Sequence, residues 1–254
     1  MTVAGKTIAI TGGARGLGQE FARHLAAQGA HIVVGDVSDC SETLRLIADA
    51  GGSGSGIGVA LDVTDPDSAK AMIQAGSDAF GRLDGLVNNA ALYGALHGGR
   101  FDSITEAEWD ACMAVNVKGI WNCCKAAVPA MRQAGGGSIV NIASLAATYG
   151  MPFGLHYTAS KAAVIGITRG LARELGRDSI RVNALAPSAV LTEGTNEFFG
   201  DKLDRALQAV KAQQTIQRNL VPADLAGTMA WLLSDDSAFI TGQTIAIDGG
   251  TVML

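Results

Sequence analysis

Tyr157 and Lys161 stand four residues apart, and Ser144 precedes the tyrosine by thirteen. On a helix that spacing places phenol and ammonium on one face. A free phenol has a pKa of about 10 and is a poor base near neutrality. A neighbouring cation favours the phenolate, so the pair predicts a tyrosine able to exchange a proton with an alcohol or a carbonyl. An ordinary solvated helix carries such pairs too, so the meaning of this one depends on its surroundings.

A second group of residues suits a nucleotide. Thr11 is followed by Gly12, Gly13, Ala14, Arg15, Gly16, Leu17 and Gly18, between a strand-like run and a helical pattern. Glycines let backbone amides approach a pyrophosphate, and a helix N-terminus adds partial positive charge. Gly12, Arg15, Gly16, Leu17 and Gly18 are therefore candidate cofactor contacts. No Gly-Lys-Ser/Thr follows, which separates this loop from the phosphate loop of nucleotide hydrolases. Asp36 comes about twenty residues later, at the end of the second apolar run. A carboxylate there accepts hydrogen bonds from both ribose hydroxyls and repels a 2′-phosphate, which predicts NAD rather than NADP. Arg15 conflicts, because a guanidinium can pair with a 2′-phosphate. Asp36 decides for NAD, since Val37, Ser38 and Asp39 bring no cation. Asp62 and Val63 can hold adenine through a carboxylate and a backbone amide; alternatively Asp62 only caps the helix expected from Pro66.

The elements that must position these groups are legible as alternating patterns. Strands are expected at residues 7–11, 31–36, 57–62, 85–88, 138–143, 180–185 and 244–247, with helices near 17–28, 41–50, 66–80, 106–132, 156–176 and 222–233. Short β-branched runs alternating with longer helical patterns predict an α/β fold. It is a Rossmann-type, doubly wound parallel sheet of seven strands in a single domain, 1–254. Residues 53–58 read as a flexible loop. The polar segment 188–216 follows a strand and would lie at the carboxyl end of the sheet, where such folds bind ligands. It is read as a substrate-covering lid, the alternative being a plain surface loop.

Composition narrows the function classes. The chain has 254 residues, 48% of them hydrophobic, and a formal charge of −5. With no basic block, nucleic acid is not an expected partner. No run of about 20 apolar residues suggests a membrane span. The start lacks the sections of a signal peptide, so a soluble, cytoplasmic protein is expected. Cys40, Cys112, Cys123 and Cys124 lack metal or disulfide spacing and read as buried thiols in a reducing compartment. His24, His31, His97 and His156 form no ligand pattern, and no metal is expected.

Taken together, Thr11-Gly12…Gly16-x-Gly18, Asp62-Val63, Asn88-Asn89-Ala90, Asn116, Ser144, Tyr157-x3-Lys161 and Asp248-Gly249-Gly250 resemble the single-domain branch of the short-chain dehydrogenase/reductase family. The resemblance spans nearly the whole chain. It implies that Asn88, Asn89 and Ala90, with Ala91, line the adenosine and nicotinamide-ribose side of a cleft. It implies that Asn116 helps bind a water near Lys161, that Ser144 hydrogen-bonds the reacting oxygen, and that Tyr157 is the general acid/base. Lys161 would hold the nicotinamide ribose and depress the tyrosine pKa. Pro187 and Thr192 would flank the nicotinamide, with Val190 as a carboxamide backbone contact. Family members usually form tetramers, here implying a homotetramer built on the two long helices and the C-terminal strand, with residues 251–254 buried between subunits. Two positions depart from the pattern: Ala91 and Ser188 stand where glycines are usual.

Residues expected to face a small-molecule substrate are Ala91, Leu92, Tyr93, Leu145, Ala146, Pro152, Phe153, His156, Leu191, Phe198 and Phe199. The set is apolar and aromatic, with no arginine or lysine to clamp a carboxylate or phosphate. A hydrophobic secondary alcohol or its ketone is the expected substrate, with aryl-substituted compounds among the candidates. Parts of the chain look similar to bacterial aryl-alcohol dehydrogenases of this family. Polyol, sugar, steroid and cis-dihydrodiol substrates stay open. An epimerase or lyase using the same Tyr–Lys pair would typically need a longer chain. A non-enzymatic NAD-binding regulator would not need Ser144, Tyr157 and Lys161 together. His156 either tunes the pocket or simply packs beside Tyr157.

Overall fold

The computed structural model describes residues 2–253. The first half runs β1 (Thr7–Thr11), α1 (Gly16–Ala27), β2 (His31–Asp36), α2 (Ser41–Asp49), β3 (Gly56–Ala60), α3 (Pro66–Phe80) and β4 (Gly85–Asn88). After a long loop come α4 (Glu106–Met113), α5 (Gly119–Gln133), β5 (Gly137–Ile142), α6 (Ala146–Tyr149), α7 (Leu155–Leu175) and β6 (Ile180–Pro187). The chain ends with α8 (Glu193–Phe199), α9 (Leu203–Gln213), α10 (Ala223–Leu233) and β7 (Thr244–Ile247). All seven strands pair in parallel, in the order β3-β2-β1-β4-β5-β6-β7. Strand order reverses between β1 and β4, where Thr11 lies beside Asn88, and a crevice opens beyond their carboxyl ends.

Alternating side chains feed two cores. Ile8 and Ile10 pack with Phe21, Leu25, Leu225 and Met229 on one face, while Ala9 packs with Met72, Leu86, Cys124 and Met131 on the other. Covered on both faces, β1 is buried along its whole length. Helix α1 buries Phe21, Ala22 and Leu25 at three- and four-residue spacing. Helix α3 begins at Pro66, and its cap is Asp65, which accepts the Asp67 amide at 2.9 Å. The cap considered for Asp62 is therefore supplied by Asp65.

Two expectations need correction. Strand β3 starts inside the expected loop at 53–58 and stops short of residue 62, because pairing with the buried β2 overrides the weak strand preference of Gly56 and Gly58. The helix expected at 106–132 is two helices separated by one π-helical turn, Ala114–Lys118. Segment 188–216 is largely helical, holding α8 and α9. All four cysteines are buried and unpaired. Among the described residues no helix is long and apolar enough to cross a membrane. Of the tail expected between subunits, Leu254 lies outside the described residues.

Candidate active site

The glycine loop closes against β4. Gly12 has φ +66°, and a Cβ there would stand 2.7 Å from Ala90 Cα, so only glycine permits this approach. Asn89 holds the loop from the other side: its side-chain amide donates to the carbonyls of Thr11 (3.0 Å) and Gly12 (2.7 Å). Thr11 Oγ1 accepts the amides of Asn89 and Ala90 at 3.1 and 3.0 Å. Asn88 is buried and donates to Asn141 Oδ1 at 2.8 Å, tying β4 to β5. The Asn89 side chain thus shapes the nucleotide end, and Asn88 braces the strand beneath it.

Helix α1 starts at Gly16 with no side-chain cap, which leaves its first amides facing the crevice. Asp36 accepts the Ala14 amide at 3.0 Å through one oxygen and the Ser38 amide at 2.9 Å through the other. It is thereby anchored beside the loop with lone pairs to spare. Asp62 is exposed beyond the end of β3, and one of its oxygens accepts from the Thr64 amide (2.8 Å) and hydroxyl (2.7 Å). Val63 is buried. Arg15 pairs with Glu197 of α8, at 2.5 and 2.9 Å. No sequence pattern pointed to Glu197. An uncapped helix start, a carboxylate fixed at the end of β2 and a glycine-rich loop fit a dinucleotide.

The proposed proton-transfer residues converge. Ser144, just beyond β5, lies beside the Tyr157 phenol and draws its pKa down, against the larger upward push of burial. Lys161 is buried, donates to the Ile142 carbonyl at 2.7 Å and sits 5.6 Å from the Tyr157 ring centroid. Burial brings the Lys161 pKa down to about 8. The expected depression of the tyrosine pKa by Lys161 is not realised by these two groups alone. Burial dominates, Tyr93 adds to it, and the phenol is held above its ordinary value.

Asn116 occupies the π turn, where the extra residue swings its amide inward. Its Oδ1 accepts the Leu92 amide at 2.7 Å, and its Nδ2 donates to the Leu92 carbonyl (3.2 Å) and Ser160 Oγ (3.1 Å). The amide engages the loop after β4 and helix α7.

Aromatic rings cover the tyrosine. Tyr93 lies 4.9 Å from the Tyr157 ring and stacks at 4.7 Å on Phe198 of α8, which meets Phe199 edge-on at 5.1 Å. Burial pushes the Tyr93 phenol up to about 12, while Thr195 draws it down. Thr192 caps α8, and its side chain would lie 3.7 Å from a Cβ at Gly16, so α8 begins against the glycine loop. Pro187 ends β6, and Val190 is buried and pairs with Leu220. Leu145 lines a cavity of about 540 Å³ with Ile165, Arg169, Arg173 and Thr244. His156 is wholly buried, and neither ring nitrogen has a partner. Phe153 is largely exposed.

The sheet reversal, loop and cleft define a Rossmann-type, dinucleotide-binding fold. The family described as Enoyl-(Acyl carrier protein) reductase matches residues 12–252. The chain belongs to the short-chain dehydrogenase/reductase family. It is 38% identical over 255 residues, covering all of both chains, to the 3-oxoacyl-[acyl-carrier-protein] reductase FabG of Thermotoga maritima. Its structure is similar to levodione reductase, with a TM-score of 0.89, 31% identity and 97% of each chain covered. It is equally similar to a Beutenbergia cavernae protein assigned as an NAD(P)-dependent gluconate 5-dehydrogenase and holding NADP at low occupancy. There the TM-score is 0.89, with 33% identity and 98% of each chain covered.

Proposed function

We propose that the protein is an NAD-dependent oxidoreductase that interconverts a hydrophobic, aryl-bearing secondary alcohol and its ketone. The observation that carries the substrate class is the aromatic stack over Tyr157, built from Tyr93 and Phe198. The guanidinium that reaches α8, Arg15, is already bound to Glu197, which disfavours a substrate anion there. A nicotinamide dinucleotide, when bound, supplies the hydride donor or acceptor. Gly12, Gly16, Leu17 and Gly18 would receive its pyrophosphate, and Asp36 its adenosine ribose. Asp62, Val63, Asn89, Ala90, Ala91, Pro187, Val190 and Thr192 would complete the cleft.

Tyr157 protonates the carbonyl oxygen in reduction and takes the hydroxyl proton in oxidation. Ser144 fixes that oxygen by a hydrogen bond. Lys161 brings a positive charge to the tyrosine's side of the cleft, and Asn116 holds Leu92 and Ser160 in register around it. Segment 188–216 acts as the lid, with α8 carrying Phe198 over the site. A homotetramer is supported by the outer faces of the two long helices. Trp121 of α5 is half exposed, and Gly166 and Gly170 of α7 would meet nothing if given a Cβ, leaving room for a close helix.

The test is the appearance of reduced nicotinamide when the purified protein meets 1-phenylethanol with NAD⁺ or NADP⁺. Formation with NAD⁺ is expected, and no turnover of any secondary alcohol or ketone in a broad panel overturns the reading. A second reading, reduction of a 3-oxoacyl thioester, is favoured by the whole-length identity to the Thermotoga maritima enzyme. A 3-oxoacyl thioester turned over faster than every aryl ketone would put that reading first.

A further inference from the structure

Arg15 is the cation of the nucleotide end that could serve a 2′-phosphate, and its charge is already spoken for. Both terminal nitrogens donate to the two oxygens of Glu197, at 2.5 and 2.9 Å, an end-on bidentate pair. Glu193 and Asp36 also lie close enough to hold the guanidinium in its charged form. One cation therefore faces three carboxylates, from β2 and from the N- and C-terminal halves of α8. The place of Glu197 is prepared: a Cβ at Gly94 would stand only 2.3 Å from Glu197 Oε2, so the loop after β4 leaves the space open.

We infer that Glu197 is a second determinant of cofactor choice, a lid residue that keeps Arg15 from serving the 2′-phosphate of NADP. Asp36 repels that phosphate directly, and Glu197 withholds the cation that would offset the repulsion. The inference rests on reading Asp36 as the NAD selector. It also couples the two ends of the cleft, because the carboxylate that neutralises Arg15 sits one residue before Phe198, which covers Tyr157 through Tyr93. The pair is about half exposed, with side chains 57% and 44% accessible, so its effect is modest and weakens with salt.

The test measures binding of NADH and NADPH to the substrate-free protein, without turnover, in wild type, Glu197→Gln, Arg15→Met and the double variant. Glu197→Gln is expected to narrow the preference for NADH about five- to tenfold by tightening NADPH. Adding Arg15→Met is expected to cancel that gain, and the gain is expected to shrink at high ionic strength. An unchanged ratio in Glu197→Gln overturns the inference. So does a gain that survives in the double variant, since the effect would then be a general loss of negative charge. A wild type preferring NADPH removes the NAD reading, while the Glu197→Gln shift still decides the role of Glu197.

Discussion

Tyr157 carries two opposing influences, and their balance sets how the site works. Burial and Tyr93 keep its proton on, while Ser144 eases it off. A protonated phenol is ready to serve a ketone, and an alcohol needs the phenolate. Oxidation should therefore quicken as pH rises from neutral into the alkaline range, while reduction should stay level over the same range because the phenol, held above its ordinary value, keeps its proton. Initial rates in both directions across that range check this; an oxidation rate independent of pH would remove Tyr157 as the base. Tyr157→Phe keeps the ring against Tyr93 and removes only the transferable proton. Turnover should fall about a hundred- to ten-thousand-fold while NADH binding stays close to wild type. Retained turnover with intact folding would end the proposed role.

At the scale of elements, the π turn and α8 decide the shape of the cleft. The Asn116 side chain serves both backbone groups of Leu92, so Asn116→Ala leaves them without their partner. A loss of about 1–3 kcal/mol is expected by denaturant titration, along with weaker substrate binding as the loop after β4 loosens. Phe198→Ala removes the far side of the stack on Tyr93. Its KM for aryl alcohols should rise about three- to tenfold, with little change for small alkyl alcohols, because a ring-on-ring contact contributes about 0.5–1.5 kcal/mol. Equal changes for both classes would show that Phe198 acts on the lid as a whole.

At the scale of the molecule, the proposed assembly uses the outer faces of α5 and α7. Light scattering should return a tetramer. Gly166→Glu, placed where a glycine meets nothing within its own chain, should lower the measured mass without unfolding the subunit. A monomeric wild type would refute the assembly. Within the subunit, Phe21 lies wholly buried between α1 and the sheet, and Phe21→Ala should cost about 3–5 kcal/mol in thermal or denaturant unfolding.

Residue order and local pattern determined the sheet, its parallel sense and the place of the glycine loop, because strand runs, helix periods and caps are local properties. They also brought together Ser144, Tyr157 and Lys161, two of which share one helix face. What they could not determine depends on neighbours distant in the chain. Pairing with β2 drew Gly56 and Gly58 into a strand, and the inward turn of Asn116 follows from its partners Leu92 and Ser160. Burial in the folded core set the Tyr157 and Lys161 pKa values against the simple expectation from a lysine four residues away. The pairing of Arg15 with Glu197 joins residues 182 positions apart, a contact that exists only once α8 lies over the crevice.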